Sequence, residues 1–204
     1  MQYIVGLTGN KFASTDRKTD PEYDYEGVEP IYTELYIWNL NSLEEPNYVT
    51  SQLTYDEHSL IQLKGTNLIL FSNNGRLTVF DINTYQSVLR TSDDILFYFG
   101  YKVKELSNHK LICKQSRDCI CILNANGLTI EQSFSVPKNI TILGELNSNI
   151  ILCQDNTTSY LLDINTNTIV KRTNKELIDA YTAFHINNHS FVSISTSHIN
   201  IWSV

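Results

Sequence analysis

Few side chains in this 204-residue chain are spaced for chemistry. Its histidines, His58, His109, His185, His189 and His198, fall in no HExxH, GxSxG or comparable frame. Neither a metal-bound water nor an activated serine is therefore expected. Four cysteines, Cys113, Cys119, Cys121 and Cys153, lie inside apolar stretches. Cys119 and Cys121 would share one face of a strand about 6.5–7 Å apart, too far for an easy disulfide. Zinc would need a second ligand pair at finger spacing, and the sequence has none. The four thus read as buried, reduced thiols. Eight glycines never fall at GxGxxG spacing, which leaves no phosphate cradle. The expectation is no catalytic residue, no cofactor and no metal.

One segment has a different character. Residues 9–34, GNKFASTDRKTDPEYDYEGVEPIYTE, read as an insertion loop rich in carboxylates and tyrosines. Its D-x-E-x-D-x-E run at 20–26 is a poor calcium loop. The glycine falls at the eighth place, and no glutamate stands at the twelfth. Tyrosines offer contact area at low entropic cost, and carboxylates select a basic partner. Tyr23, Asp24, Tyr25, Glu26 and Tyr32 are the candidate partner-binding residues.

The elements that must position this segment show in a repeated phrase. LYIWNLNS (35–42), LTVFDINT (77–84), ICILNANG (120–127), SYLLDINT (159–166) and INIWSV (199–204) each run an apolar strand into a bulky anchor and a polar turn. The anchors, Trp38, Phe80, Leu123, Leu162 and Trp202, are 42, 43, 39 and 40 residues apart. A period near 40 in a strand-rich chain is a sign of β-propeller blades. A sandwich or ordinary barrel also has short strands and regular turns, but does not return one phrase at a constant interval.

Each repeat reads as four strands. The second gives 58–64, 67–72, 76–82 and 85–91, with Asn74-Gly75 as a two-residue hairpin turn. The third gives 95–103, 110–115, 119–124 and 128–136. The fourth gives 140–146, 149–154, 158–164 and 168–173, and the fifth 180–187, 190–195 and 198–203. Second and third strands are apolar on both faces, as in a sheet held between two others. Asp81 to Thr84 is expected to make a turn, since Asp and Asn side chains cap their own backbone.

The phrases resemble the WD-repeat family, whose third strand ends in a Trp-Asp pair, over about four and a half repeats. Only Trp38 and Trp202 keep the tryptophan, and Asp81 and Asp163 follow Phe80 and Leu162 instead. The family's Gly-His pair is missing, His58 being its nearest remnant. By the family pattern its Asp–His–Ser–Trp tetrad does not form. A relative with quinoprotein-like blades is the alternative. The resemblance implies an all-β, β-propeller fold of four-stranded blades and a non-catalytic protein-interaction scaffold that binds through its loop-bearing face. A sugar-processing propeller would need polar residues at its channel mouth, where only His58, Glu145 and His185 are candidates.

YIVGLT (3–8) reads as a second strand, and the last copy stops after its third. The first and last blades are thus expected to be incomplete within one partial propeller domain spanning 1–204. Such an array is a piece of a longer ring, an obligate subunit closed by another chain's strands, or a small five-bladed ring. The first two are favoured, and open blade edges would then promote self-association.

The formal charge of −7 comes with scattered lysines and arginines, which disfavours nucleic acid. No run approaches 18 apolar residues, and MQYIVGLTGNK lacks the features of a signal peptide. The expected setting is the cytoplasm or nucleus, without secretion or membrane insertion. The sequons at Asn139, Asn156 and Asn188 carry no weight there.

Overall fold

The computed structural model describes residues 4–19, 31–54, 59–73, 75–92, 97, 103–155, 158–174, 180–187, 190–195 and 199–203. Among them every regular element is a strand. The first sheet holds β1 (Ile4–Leu7), β2 (Lys11–Thr19), β3 (Ile31–Asn39) and β4 (Ser42–Thr54). The second holds β5 (Ser59–Gln62), β6 (Leu68–Asn73), β7 (Arg76–Asp81) and β8 (Ser87–Arg90). The third holds β9 (Lys104–Glu105), β10 (Lys110–Ser116), β11 (Cys119–Asn124) and β12 (Ile130–Ser135). The fourth holds β13 (Thr141–Asn147), β14 (Ile150–Gln154), β15 (Thr158–Asp163) and β16 (Thr168–Asn174). The fifth has three strands, β17 (Ala180–Asn187), β18 (Ser190–Ser195) and β19 (Ile199–Ser203). All are antiparallel meanders, an arrangement consistent with propeller-like blades.

The repeat reaches the level of single bonds. Each anchor is the penultimate residue of its sheet's third strand and faces the second strand: Trp38 opposite Phe12, Phe80 opposite Ile69, Leu123 opposite Leu111, Leu162 opposite Ile151 and Trp202 opposite Phe191. In the first, second and fourth sheets the residue after the anchor caps the turn. Asp81 Oδ1 accepts from the amides of Asn83 (2.7 Å) and Thr84 (2.9 Å). Asp163 Oδ1 accepts from Asn165 (2.8 Å) and Thr166 (3.2 Å), and Asn39 Oδ1 from Asn41 (2.9 Å). The next amide ties back to the start of the second strand at Leu40–Asn10, Ile82–Asn67 and Ile164–Asn149. This is the local aspartate and asparagine bonding that favours turns.

Two expectations are corrected at the N-terminus. YIVGLT supplies a first strand, and the second strand comes from KFASTDRKT inside the segment read as a loop. The first sheet therefore has four strands, and among the described residues only the fifth sheet has three. The reason is local. Gly9 (φ 72°) and Asn10 (φ 57°) both take the left-handed conformation in the three-residue connection 8–10 between the paired Leu7 and Lys11, so the chain reverses at once after β1. In the third sheet the described first strand is the two-residue β9, and most of the expected 95–103 lies outside the described residues.

The chain divides into two compact units, Met1–Val103 with Asn126–Thr129, and Lys104–Ala125 with Ile130–Val204. In the first, Ala13, Leu35 and Ile37 pack with Leu60, Ile69, Phe71, Phe80 and Ile82, joining the first two sheets face to face. Lys11 Nζ crosses between them to the Ile82 carbonyl (2.9 Å) and Asn83 Oδ1 (3.0 Å). In the second unit, Leu106, Ile112, Ile120, Ile122 and Phe134 pack with Ile142, Ile151, Cys153, Tyr160 and Leu162. Strands buried on both faces read as continuous apolar runs because a neighbouring sheet covers each side.

Candidate functional site

The nine residues of β2 pair with the nine of β3 without a break, from Lys11 opposite Asn39 to Thr19 opposite Ile31. Alternation then sorts the side chains. Ala13, Thr15, Thr33, Leu35 and Ile37 are buried on the core face. Phe12, Ser14, Asp16 and Lys18 share the other face with Tyr32, Glu34, Tyr36 and Trp38, and all of these keep contact with solvent. Directly opposed across the ladder are Phe12 and Trp38, Ser14 and Tyr36, Asp16 and Glu34, and Lys18 and Tyr32.

The aromatic end is held in place. The Phe12 and Trp38 rings are nearly parallel (2°), with centroids 5.6 Å apart. Trp38 Nε1 donates to Ser14 Oγ at 2.8 Å, fixing the indole. A Ser–Trp bond thus exists in the first sheet without the rest of the family tetrad's pattern. Tyr48 of β4 meets Tyr36 edge-on at 5.9 Å and is 54% exposed. An open hollow of about 490 Å³ lies here, lined by Phe12, Ser14, Asp16, Tyr36, Trp38 and Pro46.

The polar end places two carboxylates opposite each other, a repulsive pairing on a strand ladder. Lys18 relieves it, its ammonium 2.6 Å from Glu34 Oε2. The Tyr36 hydroxyl donates to the same carboxylate, and Lys18 reaches Tyr36 Oη at 3.4 Å. Partial burial works to raise the Glu34 carboxyl, but the bonds from Lys18 and Tyr36 outweigh it and hold it below the usual range. The bond to Glu34 and then that to Tyr36 push the Lys18 ammonium up to about 12. Hydrogen bonding to Glu34, then burial, raises the Tyr36 phenol.

Of the predicted partner-binding residues, Tyr32 stands at the far end of this ladder, half-buried. Tyr23, Asp24, Tyr25 and Glu26 lie outside the described residues. The side chains that form the hollow were missed because KFASTDRKT looks like loop. The signal that could have found them is Gly9-Asn10 followed by small residues at alternate positions, Ala13 and Thr15.

Elsewhere, possible chemistry is occupied by structure. Glu145 accepts from the Ser107 amide (2.6 Å) and hydroxyl (2.7 Å). His109 is exposed and sits 3.2 Å from Glu105. His58, His189 and His198 lie outside the described residues. Among the described residues no group of three or more histidine, cysteine or acidic side chains is placed to hold a metal, and no helix is long and apolar enough to cross a membrane. Comparison with known proteins finds no matching family model and no matching curated protein.

Proposed function

We propose that this protein is a non-catalytic protein-interaction scaffold, a WD-repeat-like β-propeller array working in the cytoplasm or nucleus. Its contact surface is the outer face of the first sheet together with the segment at the tip of β2 and β3. One observation carries the reading: Phe12, Tyr36, Trp38 and Tyr48 gather on a solvent-contacting face built on strands of nine and thirteen residues. Aromatic anchors on a rigid sheet are the side chains that dominate binding energy at interfaces. A test is affinity capture with the wild type, with Tyr36→Ser/Trp38→Ser/Tyr48→Ser, and with residues 20–30 deleted. The partner recovered by wild type should be lost from the triple variant while its circular dichroism stays native. Full recovery by both variants would sink the reading.

A second reading rests on the fifth sheet. Among the described residues β19 has a partner on one edge only, in β18, where the other sheets carry a fourth strand. An obligate subunit would take that strand from another chain. Light scattering separates the two, since this reading requires self-association of the isolated chain.

A further inference from the structure

We propose that Cys113 and Cys121 form a redox site, a dithiol that a hydroperoxide converts into a disulfide across the β10–β11 hairpin of the third sheet.

The backbone already meets the requirement. Cys113 and Cys121 are directly opposed in the antiparallel ladder. Opposed residues in such a ladder have Cα atoms about 4.5–5.5 Å apart. A disulfide spans about 4.4–6.8 Å between Cα atoms, so neither strand has to slide. The two sulfurs are in contact at 3.4 Å, and side-chain rotation closes the remaining gap.

The register singles out these two thiols. Cys119 faces Ser116 on one side and Ser135 on the other, with no sulfur opposite it. Its thiol donates toward Gln115 Oε1 (3.7 Å) and the Ile120 carbonyl (3.6 Å). The repeat itself does not call for a cysteine pair. Two residues from the anchor pair, the same place joins Ser14 to Tyr36 in the first sheet, Phe71 to Thr78 in the second and Cys153 to Tyr160 in the fourth. The third sheet sets two groups there that can bond to each other covalently.

The chemistry takes two steps. One thiol attacks the hydroperoxide. Its sulfur takes an oxygen, the O–O bond breaks, and an alcohol leaves (water, where the oxidant is hydrogen peroxide). The sulfur is now a sulfenic acid. The partner sulfur attacks it, the S–S bond forms and the S–O bond breaks, and the hydroxyl leaves as water with the partner's proton. The two sulfurs lose two electrons in all, and the peroxide bond takes them. Reacting atoms about 3–3.5 Å apart are placed for attack, and the sulfurs stand at 3.4 Å. Burial governs the first step. Both residues are at most 1% exposed, so the oxidant enters when the hairpin opens locally. Closing then brings the sulfenic acid onto its partner before a second oxidant arrives.

The test treats the full chain with excess hydrogen peroxide and blocks the remaining thiols with N-ethylmaleimide under denaturing conditions. The monomer band of a non-reducing gel is then mapped with trypsin. Residues 111–114, LICK, should be joined to residues 118–138, and fragmentation between Cys119 and Cys121 should place the bond at Cys121. This link should exceed any Cys113–Cys119 link at least tenfold and vanish with dithiothreitol. Cys119→Ser should leave its yield within twofold. Cys121→Ser should abolish it and raise sulfinic acid at Cys113 at least fivefold; if that variant does not fold, the wild-type map still decides. A predominant link to Cys119, links only between chains, or sulfinic acid at both cysteines without a bond overturns the site. So does recovery of both thiols intact once Cys119 is fully oxidised.

Discussion

Cys113 and Cys121 face each other across β10 and β11, with their sulfurs 3.4 Å apart and both residues buried. Burial, then the hydrogen bond to Cys121, raises the Cys113 thiol well above its usual range, and burial pushes Cys153 up to about 12. Thiols held protonated and away from solvent are poor nucleophiles. Cys119 alone is partly accessible. Iodoacetamide at pH 8 should therefore label Cys119 first. Cys113, Cys121 and Cys153 should follow only at the rate at which the sheets open. Mass spectrometry of timed samples checks this, and equal rates for Cys113 and Cys119 would contradict it.

The Asp81 turn should show a signed pH effect. Bonds from the Thr84 and Asn83 amides hold the Asp81 carboxyl below its usual range. A carboxyl depressed in the folded state stabilises above its unfolded pKa, about 3.9, and that stabilisation fades as pH falls through the folded value. Asp81→Asn keeps an acceptor, as Asn39 does naturally in the first sheet. The variant should melt slightly below wild type at pH 7, and the gap should close below about pH 4. Asp81→Ala, which removes the acceptor, should melt lower than either at pH 7. A pH-independent gap in a melting series would refute the assignment.

Lys114 gives a slope of the same sign in a more alkaline window. It is fully buried on β10, and burial lowers its ammonium below the usual lysine range against the pull of Cys153 and Asp118. Between the lowered folded pKa and about 10.4, the unfolded chain binds more protons, so stability contributed by this residue rises with pH. Lys114→Met should stabilise the protein by about 1–3 kcal/mol at pH 7. The gain should shrink as pH approaches about 10.4. Denaturant melts at pH 7 and 10 decide it, and a destabilised variant at both would disprove the sign.

The core should respond to truncation by position. Ile122 is 0% exposed inside the second unit's cluster, and Val88 is 54% exposed. Ile122→Ala should cost about 2–5 kcal/mol. Val88→Thr should stay within about 0.5 kcal/mol. Similar losses at both positions, measured by urea unfolding, would contradict the burial of β11.

Legibility followed the range of the interactions. The anchors, their turns and most strands from β5 onward could be read because each rests on neighbours in sequence: apolar runs, Asn-Gly and Asp-Ile-Asn-Thr. The KFASTDRKT strand could not, since its strand character depends on pairing across a gap that runs from 12 positions (Thr19 with Ile31) to 28 (Lys11 with Asn39). The Cys113–Cys121 pair was missed for a similar reason. Spacing within one strand suggested Cys119 and Cys121, whereas proximity is set by the register in which Lys110 meets Asn124.

Gly75 and Gly65 offer a matched comparison of backbone strain and steric contact. Both have positive φ, 73° and 68°, so an alanine at either should cost about 1–2 kcal/mol for its left-handed backbone. Their surroundings differ. A Cβ at Gly65 would meet open space. At Gly75 it would lie 2.5 Å from the carbonyl oxygen of Phe97, whose amide donates to the Gly75 carbonyl at 2.8 Å. Backbone cannot yield as a flexible side chain can, so the β6–β7 turn or the backbone at Phe97 must move, and Phe97 is buried. Gly75→Ala should therefore cost about 1–3 kcal/mol more than Gly65→Ala. It should also speed hydrogen exchange at the Phe97 amide, which Gly65→Ala leaves unchanged. Equal losses in urea unfolding, with Phe97 equally protected in both variants, would show that the close approach at Gly75 is not maintained in solution.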